Sequence, residues 1–191
     1  MLRVTIKGYD LELKTHPKLF SPLGLDAGTA AMLSLVEFGE GQRVLDLGCG
    51  YGVVGIVAAK IVGEENVVLV DQDPLAVRLA RENSIMNGVS RIKIHQSDGF
   101  TGFSDTGFDL ILSNPPYHSD FSVPKAFIEK GFNRLVLGGK MYMVTKRQTW
   151  YKNKLAAIFG GVQISCVDGY YVFMSEKRST QYAQNRIRGG K

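Results

Sequence analysis

The chain has 191 residues, of which 45% are hydrophobic and 21% are charged, and its formal net charge is +5. This length suits one domain with a full core, and no apolar run approaches the roughly 20 residues that span a membrane. The N-terminus lacks the apolar core of a signal peptide, and the two cysteines and three scattered histidines form no metal-ligand pattern. We therefore expect a cytoplasmic protein with neither a membrane span nor a structural metal.

Charge is divided unevenly along the chain. Residues 1–129 contain 11 Lys and Arg against 16 Asp and Glu, whereas residues 130–191 contain 12 against 2. A basic half beside an acidic half indicates that one side of the protein binds a polyanion. The alternative is a solvated basic surface that binds nothing in particular.

The N-terminal part contains a hairpin, a loop and a helix. Apolar and polar residues alternate over 3–14, which predicts a short β-hairpin. Ser21-Pro22 and Gly24 indicate an irregular loop, and the pattern over 29–38 is helical.

A glycine-rich turn follows in the stretch 44–52, which reads VLDLGCGYG and leads into an apolar helical pattern. Strand, glycine turn and helix form the first unit of a doubly wound α/β sheet. Glycine lets such a turn bend tightly and lets a ligand approach the backbone. The third glycine comes one residue too early for the dinucleotide fingerprint GxGxxG, which disfavours a nucleotide-dependent oxidoreductase. A plain strand-to-helix turn is the alternative.

Strands and helices alternate through the rest of the chain. After the first strand of the sheet, we expect strands at 66–71, 91–96, 108–113, 140–145, 162–167 and 170–176. The intervening helices are expected at 74–86, 123–137 and 149–159. The pattern predicts an α/β, Rossmann-like, doubly wound and mostly parallel seven-stranded sheet, closed by a terminal antiparallel hairpin. Residues 1–176 would form a single domain and residues 177–191 a mobile basic tail.

Acidic residues stand where three of these strands end, at the edge where open α/β sheets bind ligands. Asp71 ends the second strand, where its carboxylate can accept hydrogen bonds from two ribose hydroxyls. It could instead be an acidic residue at a helix N-terminus. Asp98 follows the third strand and can accept from an adenine amine, although Ser97-Asp98-Gly99 is also a generic turn. Asp46 would orient the glycine turn or meet the amino end of a cofactor.

The fourth strand runs directly into Asn114-Pro115-Pro116-Tyr117. Two prolines end the strand ladder and stiffen the backbone. The Asn114 amide oxygen and the Pro115 carbonyl are two acceptors, which match the two hydrogens of a planar amine. Tyr117 supplies a face on which a base or an amide can stack. The segment therefore predicts a catalytic site for chemistry on an amino group, with a simple strand-ending turn as the alternative.

Taken together, GxGxG at the first strand and NPPY after the fourth resemble class I S-adenosylmethionine-dependent methyltransferases that act on amino groups of planar systems. FSPLGLDAGT and NPPYH look more closely like the "methyltransferase small" family, whose best-known members methylate the 2-amino group of guanine in ribosomal RNA. The resemblance runs from about residue 20 to residue 177. It implies S-adenosyl-L-methionine as cofactor, S-adenosyl-L-homocysteine as product, and ribosomal RNA or a ribosomal subunit as partner.

The resemblance also implies roles for particular residues. The expected cofactor site contains Asp46, Gly48, Cys49, Gly50, Gly52, Asp71, Gln72, Asp98, Gly99 and Asn114. The expected holders of the target amine are Asn114, Pro115, Pro116 and Tyr117. A loop expected to close over the substrate pocket carries Phe20, Asp26, Gly28 and Thr29, and His118 joins the expected substrate residues.

The basic half of the chain would supply the RNA surface. Basic residues follow the fifth strand at Lys146, Arg147, Lys152 and Lys154. Trp150 lies among them as a stacking face for a base, with ordinary packing as the alternative. The motifs leave other acceptors open, namely the glutamine amide of a protein and adenine in tRNA or DNA. A non-catalytic RNA-binding module that keeps the fold is the remaining alternative.

Overall fold

The computed structural model describes residues 1–19, 21, 24–115 and 120–184. Strands β1 (Leu2–Ile6) and β2 (Tyr9–Leu13) form an N-terminal hairpin, and helix α1 spans Ala27–Leu35. The elements that follow are β3 (Val44–Leu47), α2 (Val53–Val62), β4 (Val67–Asp71), α3 (Pro74–Met86), β5 (Lys93–Gln96), β6 (Phe108–Ser113), α4 (Ser122–Arg134), β7 (Leu135–Thr145), α5 (Thr149–Phe159), β8 (Gln163–Val167) and β9 (Tyr170–Glu176).

Seven of the strands in the described residues form one sheet, in the order β5-β4-β3-β6-β7-β9-β8. The first five pair in parallel, and β9 is antiparallel to both of its neighbours. This confirms the predicted fold class. After β5 the chain crosses to the other side of β3, so β3 and β6 flank the point where the strand order reverses. Open α/β sheets bind ligands at this point, beyond the carboxyl ends of the strands.

The central strands are buried on both faces. Alternate residues of β3 point to opposite sides, so that Val44 joins a core formed with α1, α2 and α3, while Leu45 joins a phenylalanine-rich core under α4 and α5. Gly55 lets α2 lie directly on β4, because a Cβ there would come within 2.3 Å of the Leu69 side chain. Such burial on two faces explains why these strands read as continuous apolar runs.

The N-terminal hairpin is joined to the glycine turn through one buried side chain. The Asn83 amide donates to the carbonyl oxygens of Lys14 at 3.0 Å and Tyr51 at 2.9 Å. The Asn83 oxygen accepts from the Lys14 backbone N–H at 2.7 Å. Asn83 is fully buried, and sequence reasoning did not identify it, because an Asn inside a helical pattern carries no sign of its partners.

At two places in the chain the expected boundaries were wrong by three residues or more. Helix α1 spans Ala27–Leu35 rather than residues 29–38. Helix α4 ends at Arg134, and β7 begins at Leu135, five residues before the expected strand. The apolar residues after Arg134 continue the helical pattern in sequence, but Leu135 pairs with Phe108 across an irregularity in the sheet register.

The expected tail starts with residues that pack on the domain. Lys177 is buried, and its Nζ donates to the carbonyl oxygen of Leu135 at 2.7 Å. Burial lowers the pKa of Lys177. The Tyr182 hydroxyl donates to the carbonyl oxygen of Glu129 at 2.9 Å. The packed part of the chain therefore extends beyond the expected boundary at residue 176, and the rest of the predicted tail, residues 185–191, lies outside the described residues.

Candidate active site

A cavity of about 340 Å³ lies beyond the carboxyl ends of β3, β4 and β6. Nine residues of the expected cofactor site line it: Asp46, Gly48, Cys49, Gly50, Asp71, Gln72, Asp98, Gly99 and Asn114. Asp26 and Thr29 of the expected substrate loop line the same cavity. Residues distant in sequence thus surround one space, as the ends of neighbouring parallel strands require.

The glycine turn presents its backbone to this cavity. The N–H groups of Gly48 and Cys49 both donate to the Val70 carbonyl oxygen, at 2.8 and 3.0 Å. Gly48 and Gly50 have positive φ angles of 79° and 54°, a region that residues with a Cβ avoid. A Cβ on Gly50 would meet no atom within 4 Å, so the turn leaves open space beside its backbone. Gly52 instead precedes α2 and packs on Ala80.

Asp71 connects the end of β4 to that turn. Its Oδ2 accepts from the Gly50 N–H at 2.8 Å, and its Oδ1 accepts from the Asp73 N–H at 2.9 Å. Burial raises the pKa of Asp71 in spite of these hydrogen bonds. Each carboxylate oxygen can accept a further bond, so Asp71 can hold the turn and also meet a ligand hydroxyl.

Asp46, within β3, is bonded to the helix that follows the glycine turn. It is 3% exposed, and its Oδ2 accepts from the Gly55 N–H in α2 at 2.9 Å. Burial raises the pKa of Asp46 to about 7, and the neighbouring Asp71 charge adds to the effect. Burial likewise raises the pKa of the Cys49 thiol. Asp46 thus contacts the first turns of α2, and its two expected roles, orientation of the glycine turn and contact with the cofactor, stay predictions.

Asn114, directly after β6, is held by the start of α1. Its Nδ2 donates to Asp26 Oδ2 at 2.7 Å and to Thr29 Oγ1 at 3.0 Å. Asp26 is the N-cap of α1, and the same Oδ2 accepts from the Thr29 N–H at 2.7 Å. Two residues expected to touch the substrate therefore contact Asn114. Gly28 is buried within α1.

Part of the predicted site cannot be placed. Pro115 is described and buried. Phe20, Pro116, Tyr117 and His118 lie outside the described residues, and their expected roles stay predictions.

An aromatic and basic surface lies where β7 ends and α4 begins. Trp150 stacks on Phe121, with ring centroids 4.4 Å apart and planes 14° apart. The Arg147 guanidinium lies 5.2 Å from the Phe121 centroid, and Lys146 Nζ lies 4.9 Å from the Tyr170 centroid. Sequence reasoning missed Phe121, although its place at the start of a helix, just after the proline segment, pointed toward this edge.

Two other features, a metal-binding cluster and a membrane-spanning helix, are absent from the described residues. Nowhere among them do three or more His, Cys, Asp or Glu side chains form a group that could hold a metal ion. In the same residues, no helix has both the length and the apolar character needed to cross a membrane.

Known proteins resemble this chain over most of its length. A family model described as the methyltransferase small domain matches residues 10–175. Ribosomal RNA large subunit methyltransferase G from Pseudomonas entomophila is 37% identical over 175 residues, which is 87% of this chain and 46% of that protein. The chain thus spans about half the length of the curated relatives it matches.

Solved structures extend the comparison. The T. thermophilus 16S rRNA N2 G1207 methyltransferase (RsmC), in complex with AdoMet and guanosine, has a TM-score of 0.83 and 28% identity, covering 92% of this chain and 50% of that one. TrmN from Thermus thermophilus has a TM-score of 0.66 and 27% identity, covering 77% and 47%. Because the family model matches most of the chain, including the strands and the glycine turn that line the cavity, this chain belongs to the methyltransferase small domain family.

Proposed function

We propose that this chain is an S-adenosylmethionine-dependent N-methyltransferase that acts on an exocyclic amino group of a base in RNA, with guanine in ribosomal RNA as the expected target. One observation carries the proposal: the Asn114 amide is held by Asp26 and Thr29 on the wall of the cavity that also contains the glycine turn and Asp71. A rigid acceptor for an amine thus lies beside a site suited to a nucleoside cofactor. Membership of the family and the likeness to RsmC support this assignment.

The cavity suits S-adenosylmethionine by its hydrogen-bond acceptors and by the open space at the glycine turn. The open space beside Gly50 allows a ligand to approach the backbone of the turn. Asp71, at the end of β4, would accept from the ribose hydroxyls, while Asp98 and Gly99 would lie at the adenine. When bound, the cofactor supplies a methyl group on a positively charged sulfur and leaves as S-adenosyl-L-homocysteine.

Asn114 and Pro115 would act on the substrate amine. The lone pair of such an amine is delocalised into its ring, so the nitrogen is a weak nucleophile. Two acceptors, the Asn114 Oδ1 and the Pro115 carbonyl oxygen, favour the pyramidal, partly positive nitrogen of the transition state. Holding two reactants in line can lower the barrier by roughly 7–11 kcal/mol. The nitrogen forms its bond to the methyl group as the bond from sulfur to that group breaks. The methylated nitrogen is then positively charged and acidic, and it can release a proton to solvent without a strong base beside it.

The basic end of β7 supports RNA as the substrate. Lys146 and Arg147 are exposed just after β7. Arg147 lies over the Phe121 ring, which stacks on Trp150, and Lys146 lies over the Tyr170 ring. Aromatic faces beside cations are typical of single-stranded RNA sites. Lys154 is less suited to this role, because it forms an ion pair with Glu129.

Transfer of a labelled methyl group tests the proposal. Ribosomal RNA, tRNA, DNA and a protein extract would be offered in parallel, followed by nucleoside and amino-acid analysis. We expect label in ribosomal RNA as 2-methylguanosine. Label in glutamine or adenine would move the function to another acceptor, and RNA binding without transfer to any acceptor would contradict an enzymatic role.

Asn114→Ala provides the internal test of the catalytic assignment. Because the acceptor acts mainly in the transition state, kcat should fall by about a hundredfold or more while cofactor affinity changes little. Asn133→Ala is the matched control, since Asn133 is exposed on α4 and donates to the Tyr182 hydroxyl. Equal losses of kcat and cofactor affinity in Asn114→Ala would refute the assignment.

A further inference from the structure

A single carboxylate oxygen connects the start of α1 to Asn114, the proposed amine acceptor. Asp26 Oδ2 accepts from the Thr29 N–H and from Asn114 Nδ2, both at 2.7 Å. Thr29 Oγ1 lies 3.0 Å from the same Nδ2. Asp26 thus caps a helix and holds a side chain that is 88 residues away in sequence.

This contact determines which end of the Asn114 amide faces Asp26. A carboxylate has no hydrogen to donate, so it accepts from the NH2 group and repels the amide oxygen. Turning the amide over would bring the oxygens of Asn114 and Asp26 to the distance now occupied by a hydrogen bond. The oxygen end of the amide is therefore directed away from Asp26.

The segment that carries Asp26 is also connected to the glycine turn. The Tyr51 hydroxyl, in that turn, lies 3.3 Å from the Ser21 carbonyl oxygen and 3.4 Å from the Gly24 carbonyl oxygen. The Ser21 hydroxyl donates to the Gly24 carbonyl oxygen at 2.8 Å. These contacts place Asp26 relative to the same backbone that would contact the cofactor.

We propose that Asp26 is a positioning residue, which fixes the orientation of the Asn114 amide so that Oδ1 is presented to the substrate amine. The inference rests on the proposed function and assigns Asp26 a role other than contact with the substrate. An inverted amide would set its NH2 group against the hydrogens of the amine, and donor would face donor. The orientation of this amide therefore controls whether Asn114 helps or opposes transfer.

Two substitutions separate positioning from capping. Asp26→Ser keeps an oxygen that caps helices as well as Asp does, but the shorter side chain ends too far from Asn114 to hold it. Asp26→Asn keeps an amide oxygen of the original length, which can accept from both Thr29 and Asn114. We expect Asp26→Ser to lower kcat by about a hundredfold with KM and cofactor affinity little changed. Asp26→Asn should keep a kcat close to that of the wild type.

The Asn114 side-chain amide can be observed without any activity assay. In nitrogen-labelled protein its NH2 signals are identified by their loss in Asn114→Ala. We expect these signals to shift, and their hydrogens to exchange faster, in Asp26→Ser. Asp73→Ser is the matched control, because Asp73 caps α3 by accepting from the Leu75 N–H. Signals that stay unchanged in Asp26→Ser would overturn the inference, whatever the protein methylates.

A double-mutant cycle completes the test. If Asp26 acts through Asn114, Asp26→Ser should cost less than about twofold in kcat once Asn114 is Ala. Multiplicative losses would mean that Asp26 acts independently, for example on the substrate, and would overturn the inference. If no acceptor is methylated at all, the proposed function fails, while the resonance measurement still decides the role of Asp26.

Discussion

The carboxylate of Asp71 accepts a hydrogen bond from the Gly50 N–H at 2.8 Å, which joins the end of β4 to the glycine turn. The other oxygen accepts from the Asp73 N–H at 2.9 Å. Both oxygens are therefore used by backbone donors, one on each side of the carboxylate. Only a side chain with two acceptor atoms at this position can serve both.

Asp71→Asn should therefore weaken cofactor binding by about tenfold or more. The new NH2 group would face a backbone N–H, and it would replace an oxygen that can accept a hydrogen bond from a ribose hydroxyl. Asp109→Asn is the matched control, since Asp109 Oδ2 accepts from the Arg43 N–H and an amide oxygen can replace it. Calorimetric titration with S-adenosylmethionine measures the difference. Equal affinities in the two variants would contradict the role given to Asp71.

Asp46 should make stability depend on pH. Its pKa is raised from 3.8 to about 7 by burial, so between these values the native state keeps a proton that the unfolded state has released. Stability then falls as the pH rises from about 4 to about 7, and the full loss is on the order of 4 kcal/mol. Asp46→Asn keeps an oxygen for the Gly55 N–H and does not titrate.

Urea unfolding of the wild type and Asp46→Asn over this pH range measures the effect. The stability of the variant relative to the wild type should increase between about pH 4 and about pH 8. Asp71, whose pKa is also raised, is present in both proteins, so the comparison isolates Asp46 together with its interaction with the Asp71 charge. A stability difference that does not change with pH would show that Asp46 titrates normally.

Asn83→Ala should destabilise the protein by about 2–3 kcal/mol, because it leaves the Lys14 backbone and the Tyr51 carbonyl oxygen without their buried partner. Cofactor affinity should fall as well, since Tyr51 belongs to the glycine turn. Asn87→Ala is the control at the C-cap of the same helix, where the amide donates to the Glu12 carbonyl oxygen in a more exposed position. Asn87→Ala should lower the free energy of unfolding by about 1 kcal/mol. Equal losses in the two variants would show that the buried hydrogen bonds of Asn83 contribute no more than the exposed ones of Asn87.

Gly55→Ala should destabilise the protein by about 1–3 kcal/mol, although Ala favours helices over Gly. The added Cβ would lie 2.3 Å from Leu69 Cδ1, in a core where Leu69 is fully buried. Gly161→Ala adds the same atom where no neighbour lies within 4 Å, and should change stability by about 0.5 kcal/mol or less. Thermal unfolding compares them. A stabilised Gly55→Ala variant would show that α2 does not rest so closely on β4.

Replacing Lys146 and Arg147 together with Ala should weaken RNA binding. The slope of the logarithm of the binding constant against the logarithm of the salt concentration should become shallower by about 2, one for each phosphate contact. The control replaces Lys7 and Lys130, which are exposed elsewhere, and removes the same charge. Titration of labelled ribosomal RNA fragments over a series of salt concentrations gives both slopes. If the control lowers the slope equally, net charge rather than this surface binds the RNA.

Much of the fold could be predicted because its signals are local. The apolar strands and the glycine turn repeat the pattern of a parallel α/β sheet, and the carboxyl ends of such strands meet at one edge. This rule predicted that Asp71 and Asn114 lie close together, and both line the same cavity. The predicted end of α4 at residue 137 was wrong, because an apolar run can either continue a helix or begin a strand. The pairing of Leu135 with Phe108 makes it the first residue of β7.

The sequence by itself determined the element order, the glycine turn and the kind of chemistry that the strand ends can support, since each depends on residues close together in the chain. The tertiary structure alone decided that Asp26 holds Asn114, that Asn83 joins the hairpin to Tyr51, and that Trp150 stacks on Phe121. The physical reason is that the partner of a side chain is selected by its distance in space. Asp26 and Asn114 become neighbours only when the packing of α1 against the sheet brings them together.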